Sequence, residues 1–113
     1  MSIITVPELA LWQRNAVAFS LLDVRRKGAR SADAHAIHDA EWFDPALWLD
    51  WKDQIPGDKP AVLYCVHGHE ISQGLAAALC AMGIDARHLV GGIEAWKAAD
   101  QPMYVVADAG INR

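Results

Sequence analysis

Apolar positions along the chain change period several times, and the changes mark the elements. Ala61-Val62-Leu63-Tyr64 is an unbroken apolar run behind the turn signal Pro56-Gly57-Asp58-Lys59-Pro60, the pattern of a strand buried on both faces of a parallel sheet. From about Ile71 the spacing becomes helical, with Ile71, Leu75, Ala78, Leu79 and Met82 on one stripe and Gly83 placed to end it. Cys65 therefore closes a strand and faces a loop that opens a helix.

The flanking segments follow the same alternation. Ile3-Ile4 begins a short strand, and Thr5-Val6-Pro7-Glu8 reads as a capping box with an early proline, leading into a helix that carries Leu9, Trp12 and Val17, with Trp12 in the core. Phe19 to Val24 forms a second strand, and Trp42-Phe43 a further short one. Asp44-Pro45 then caps a helix bearing Leu47, Trp48, Trp51 and Ile55. Ala86 to Val90 is a last strand, Ile93 to Lys97 a short helix and Met103 to Val106 an extended tail. Four or five strands alternating with helices predict an α/β fold, a parallel sheet covered by helices on both faces.

Composition narrows the class. One domain spans 1–113, and a chain of 113 residues buries ~65% of its unfolded surface, enough to fold without staples. A formal net charge of −4 argues against nucleic acid or an anionic membrane surface as partner. No apolar run reaches the ~18–20 residues of a membrane span. Cys65 and Cys80, with no basic, apolar leader at Met1-Ser2-Ile3-Ile4, point to a reducing compartment and a cytoplasmic protein.

Chemistry concentrates after Cys65. A loop running from a strand into a helix can turn successive amides inward as an anion nest, and the helix adds its own unpaired donors and the positive end of its dipole. A thiol set there ionises more readily than free cysteine. Gly68 supplies a residue free to take positive φ and lets backbone approach the anion. A lone cysteine ending a strand is ordinarily a small buried residue; here Gly68, His67, His69 and the immediate helix start turn the reading toward a reactive thiol. His67 and His69 are either solvent-facing or hold the thiolate and donate a proton near neutral pH. With Cys65 they make i, i+2, i+4 spacing in one tight loop, which rarely closes a metal site, so no metal and no cofactor are expected. Cys80 and His88 read as structural.

CVHGHEIS, Cys65 to Ser72, resembles the active-site loop of rhodanese domains, the single-domain thiosulfate sulfurtransferases, with glycine three residues after the cysteine and a serine-led helix following. Leu21-Leu22-Asp23-Val24-Arg25 is similar to the family's early strand. Val90-Gly91-Gly92-Ile93-Glu94-Ala95-Trp96, with Gln101-Pro102 after it, resembles its C-terminal signature. The three motifs stand in the family's order across most of the chain. His35 to Ala40 departs from the family's Gly-His-Ile-Pro-Gly-Ala, having a longer upstream loop and no proline.

The resemblance implies a rhodanese-like three-layer sandwich in which Cys65 accepts sulfane sulfur from a donor such as thiosulfate or a persulfide and passes it to a thiophilic acceptor, small molecule or protein. The active-site loop would be Val66, His67, Gly68, His69, Glu70, Ile71 and Ser72, with the amides of Val66 to Ile71 as the cradle. Asp23 and Arg25 brace neighbouring loops, and the basic loop of Arg26, Lys27 and Arg30 is either solvated surface or an attractor for an anionic donor. Rhodanese loops commonly carry arginine at their second and sixth places; this one has neither, and it is one residue longer. A non-catalytic binding or sensing module therefore stands as the alternative. A cysteine-dependent phosphatase or arsenate reductase stands behind it, since Glu70 opposes a dianion where relatives place a guanidinium. Trp42, Trp48 and Trp51 read as a helix face in the core, the competing reading being an apolar wall beside the loop.

Overall fold

A computed structural model describes residues 2–106. In chain order these give β1 (Ile3–Ile4), α1 (Val6–Arg14), β2 (Ser20–Asp23), α2 (Lys27–Ala32), β3 (His35–Ile37), β4 (Glu41–Trp42), α3 (Trp48–Trp51), β5 (Ala61–Tyr64), α4 (Glu70–Ala81), β6 (Ala86–Leu89), α5 (Gly92–Ala98) and β7 (Met103–Val105). Of the domain expected over 1–113, residues 1 and 107–113 lie outside the described residues, as does the first residue of the segment read for a leader. No helix among the described residues is long and apolar enough to cross a membrane.

Five strands form a parallel sheet in the order β1-β6-β5-β2-β4. Its central strand β5 is buried at all four positions, as the unbroken apolar run requires. Side chains leave a strand alternately, and here the alternation builds two separate cores. Val62 and Tyr64 join Leu21, Leu9, Ile93 and Trp96 under α1 and α5. Ala61 and Leu63 join Leu22, Trp51, Ala76 and Leu79 under α3 and α4. Helices thus cover both faces and the three-layer α/β sandwich holds. The tail read as extended is β7, which pairs antiparallel with β3 from Ile37↔Met103 to His35↔Val105 in a separate two-stranded ribbon.

Several expectations need correcting. The basic run is not a loop: Lys27–Ala32 is a helical turn and a half with Arg26 as its N-cap, and none of its residues is buried, so no apolar stripe announced it. α1 ends at Arg14 and the chain turns away through Ala16 at φ +54°, leaving Val17 exposed beyond the helix. Trp12 is only partly buried, packed against the α1/α5 core. The tryptophan-bearing helix is short and flanked by 3-10 turns at Pro45–Leu47 and Lys52–Gln54.

The stripe on α4 is also rotated. Ser72, Ala76 and Leu79 face the sheet, while Met82 lies past the last turn and is 43% exposed. Leu79→Ala should therefore lower unfolding free energy by about 2–5 kcal/mol and Met82→Ala by under about 0.5 kcal/mol. Urea unfolding of the two variants checks this, and equal losses would restore the stripe as first read.

Candidate active site

Cys65 continues the alternation of β5, so its side chain follows Ala61 and Leu63 toward α4. There its Sγ lies 3.2 Å from the hydroxyl oxygen of Ser72. Cys65 is 6% exposed and Ser72 fully buried. The helix starts at Glu70 with His69 as N-cap, one residue earlier than the spacing predicts, which makes Ser72 a first-turn residue on the buried face and not a member of the loop. A hydroxyl in that place can donate to a thiolate.

The orientation of the loop follows from where its carbonyls go. The amides of Ile93 and Glu94, in the first turn of α5, donate to the carbonyls of Cys65 at 3.0 Å and Val66 at 3.1 Å. Gln73 Nε2 donates to the Gly68 carbonyl at 2.9 Å, and the Gln73 amide to the His69 carbonyl at 3.1 Å. Among the described residues no peptide bond is cis, and in a trans peptide the next amide points opposite to the carbonyl. The amides of Val66, His67, His69 and Glu70 are thereby turned away from those partners. Among the described residues none of the amides from Val66 to Ile71 has a hydrogen-bond acceptor, the condition of a nest waiting for a negative atom.

Glycines make this close stacking possible. Gly68 adopts φ +77°, as the sequence reading requires, but the backbone that approaches it is the protein's own: an added Cβ would stand 2.7 Å from Gly91 N and Leu89 O. Gly92, at φ +62°, is reciprocal, its added Cβ falling 2.5 Å from the carbonyls of Cys65 and Val66 and 2.6 Å from Gly68 N. The turn from β6 into α5 is thus pressed backbone to backbone against the cysteine loop.

The loops after β2 and β5 border an open cavity of about 650 Å³ in front of Cys65. Of the residues read as site candidates, Val66, His67, His69, Glu70 and Ile71 line it from the loop and helix, and Arg25 and Arg26 from the far wall. Ala29 and Gln73, which the sequence reading passed over, complete it. Asp23, Lys27, Arg30, Gly68 and Ser72 are not on its surface. His67 and His69 are exposed, their ring centroids 6.0 Å apart. No group of three His, Cys, Asp or Glu residues among those described is placed to hold a metal ion. The tryptophans form no wall here: Trp48 and Trp51 pack edge to face at 5.0 Å with Phe43 beside them, and Trp42 stacks under Arg30.

Asp23 and Arg25 brace the sheet edge. Arg25 Nε donates to both Asp23 oxygens at 2.9 and 3.1 Å, Nη2 to Oδ2 at 2.7 Å and to the His35 carbonyl at 3.0 Å. Burial works against the guanidinium's charge, yet the Asp23 carboxylate outweighs it and holds its pKa above the ordinary arginine value. Asp33, which no sequence pattern marked, continues this network to Arg25 and to Lys97 of α5. Burial opposes its ionisation, but Lys97 and the His35 amide hold its pKa below the usual carboxylate value. Arg30 stands 3.9 Å from Asp23. Away from the cavity, Cys80 donates to the Ala86 carbonyl at 3.1 Å, a packing role as read, and burial lowers the pKa of His88.

The sequence profile of the Rhodanese-like domain family matches residues 5–99. The chain belongs to the rhodanese-like family. It is 36% identical over 107 residues to the probable adenylyltransferase/sulfurtransferase MoeZ of Mycobacterium tuberculosis, covering 93% of this chain and 27% of that protein. This chain thus spans about a quarter of the length of the curated relatives it matches. A rhodanese-related protein of Thermoplasma volcanium superimposes with a TM-score of 0.77 at 20% identity, over 92% of this chain and 98% of that one. A Rhodopseudomonas palustris protein described as a possible tyrosine phosphatase superimposes with a TM-score of 0.79 at 23% identity, over 92% and 85% of the two chains. At those identities the likeness is one of fold.

In this rhodanese-like domain the clamp on the loop carbonyls rests on Gly92. Gly92→Ala should displace the loop, costing at least about 2 kcal/mol of stability, because positive φ and three backbone clashes leave no room for a methyl group. Thermal unfolding together with the alkylation rate of Cys65 checks it, and a variant matching wild type in both would mean the close approach is relaxed in solution.

Proposed function

We propose that this domain is a sulfurtransferase working through a persulfide on Cys65. The observation that carries the reading is the row of acceptor-free amides from Val66 to Ile71 beside a cysteine whose loop carbonyls are bonded away. Cys65 Sγ, as thiolate, attacks the outer sulfur of the donor. The new Sγ–S bond forms as the donor's S–S bond breaks, and the electron pair leaves on the donor's inner sulfur, as sulfite from thiosulfate or as a thiolate from a persulfide. The anionic outer sulfur then rests among the amides, which act as preorganised dipoles. A thiophilic acceptor, a thiol, cyanide or a protein group, attacks that outer sulfur and returns Cys65 as thiolate. No redox cofactor or metal enters this balance. Ser72, at 3.2 Å from Sγ, stabilises the thiolate in both half-reactions. Family membership and likeness to a probable sulfurtransferase support this reading, and a cytoplasmic setting would supply the low-molecular-weight thiols it uses.

Treatment of the reduced protein with thiosulfate or an organic persulfide should add one sulfur atom to Cys65, seen by mass spectrometry and discharged by cyanide. Cys65→Ser should show neither adduct nor thiocyanate formation. Full turnover in that variant would remove Cys65 from the reaction; wild-type protein that neither carries the sulfur nor turns over would favour the binding-module reading, and aryl phosphate turnover lost in Cys65→Ser would put a phosphatase in its place.

Glu70 lines the cavity where a dianion would enter. Thiosulfate is accordingly a poor donor for this domain and a less charged persulfide or thiosulfonate a better one. Glu70→Arg should raise thiosulfate kcat/KM by about tenfold at low salt, with the gain shrinking as ionic strength rises. A ratio near one at every salt concentration would mean the carboxylate serves only the helix.

A further inference from the structure

We infer that the cavity in front of Cys65 selects a sulfur carrier bearing both an ammonium and a carboxylate group, an amino-acid-type thiol or its persulfide, with Glu70 receiving the ammonium and Arg26 the carboxylate. The inference rests on the sulfur-transfer reading for its chemistry, and on the cavity alone for its recognition.

Three observations converge. Arg26 and Glu70 are exposed, and among the described residues neither side chain makes a hydrogen bond or ion pair, with each other or with anything else. Both line the Cys65 cavity and both also line an adjoining hollow of about 340 Å³, so the pair stands on the ridge between the two. The rest of that second hollow, Pro45, Ala46, Ile71, Gly74 and Leu75, carries no charge. In the main cavity Arg25 Nε and Nη2 are committed to the two Asp23 oxygens, and Nη1, with no hydrogen bond among the described residues, stands 3.6 Å from Asp33 Oδ2. Among the described residues, His67 and His69 are the other titratable side chains on its wall besides the thiol itself. Finally, about 650 Å³ is the volume of a site for an organic molecule; an inorganic donor of a few atoms would leave most of it to water.

Opposite charges held apart at one mouth discriminate by sign. A dianion gains from Arg26 and is repelled by Glu70; an uncharged persulfide leaves both without a partner. A zwitterion satisfies both while its sulfur reaches between Val66 and Ile71 to Cys65, and specificity of this kind comes from the repulsive element as much as from the attractive one. The transfer step is unchanged: the carrier's persulfide gives its outer sulfur to Cys65 and leaves as thiolate, or the free carrier thiolate takes that sulfur back.

The test compares three donors, L-cysteine persulfide, its N-acetyl derivative without the ammonium and its ethyl ester without the carboxylate, on wild type, Glu70→Gln and Arg26→Gln. The ratio of variant to wild type cancels each donor's intrinsic reactivity. Glu70→Gln should cut the preference for the zwitterion over the N-acetyl donor by about fivefold, and Arg26→Gln the preference over the ester by about as much, the scale of exposed ion pairs. In parallel, S-methyl-L-cysteine, which has both charges and no sulfur to transfer, should protect Cys65 from alkylation, and less well in both variants. Sulfur loading that is indifferent to both charges in all three proteins overturns the inference and leaves the sulfur-transfer reading standing. Protection that depends on Arg26 and Glu70 without any sulfur loading does the reverse, upholding the recognition and sinking the chemistry. Both side chains are exposed, so circular dichroism should show the variants folded; equal protection in folded variants overturns the recognition.

Discussion

Two hydrogen bonds from the first turn of α5 to the carbonyls of Cys65 and Val66 decide what the cysteine loop is. Their net worth is small, roughly 0.5–1.5 kcal/mol each. Their effect is directional: a peptide whose carbonyl is taken on one side must show its neighbouring amide to the other. Reversing those peptides would leave the Ile93 and Glu94 amides of α5 without acceptors, at a cost of about 1–3 kcal/mol apiece. The anchor of this arrangement is distant from the chemistry. Ile93 and Trp96 are buried in the α1/α5 core, and Trp96 Nε1 donates to the Pro102 carbonyl at 2.9 Å, so α5 cannot shift without disturbing one of the two cores. Core packing, through α5, is what holds the amides in place.

The second constraint is the charge buried beside the site. Arg25 and Asp23 are each 1% exposed, and breaking such a pair from one side costs about 3–5 kcal/mol because the survivor is left uncompensated. The pair sums to zero net charge, and its guanidinium is kept protonated by its partner. Through the His35 carbonyl and Asp33 it ties the segment after β2 to the start of β3. On the rim stand Arg26 and Glu70, whose side chains make no hydrogen bond or ion pair among the described residues, and the exposed His67 and His69.

The strand, cysteine and helix from Ala61 to Leu79 could be read from sequence because each change of hydrophobic period has one physical cause, a strand buried on two faces or a helix buried on one. The capping box at Thr5 was equally local, and its reciprocal bonds to Glu8 are present. What sequence hid were pairings with no local pattern. β3 and β7 are three residues each and meet across more than sixty positions; α2 buries nothing and so shows no stripe. At the site, Gly68 could be expected at positive φ, but its contact with Gly91 and Gly92 could not, since a glycine pair records that something comes close and not what. Gln73 and Asp33 had no signal at all: an exposed glutamine in a helix and an aspartate in a loop are the commonest of surface residues.

Amides alone do not choose a ligand. Nest donors accept a sulfane sulfur or an oxyanion alike. Charge at the rim chooses, and in this chain the choice is bound to stability. Glu70 is the first residue of α4, where a carboxylate interacts favourably with the helix dipole by roughly 0.3–1 kcal/mol. Lining the cavity, the same carboxylate disfavours a doubly charged anion. A cation at this position would favour the dianion and weaken the first turn of the helix that carries Ser72 to the thiol. The preference for anions at the rim and the rigidity of the first turn of α4 therefore change together at this one side chain.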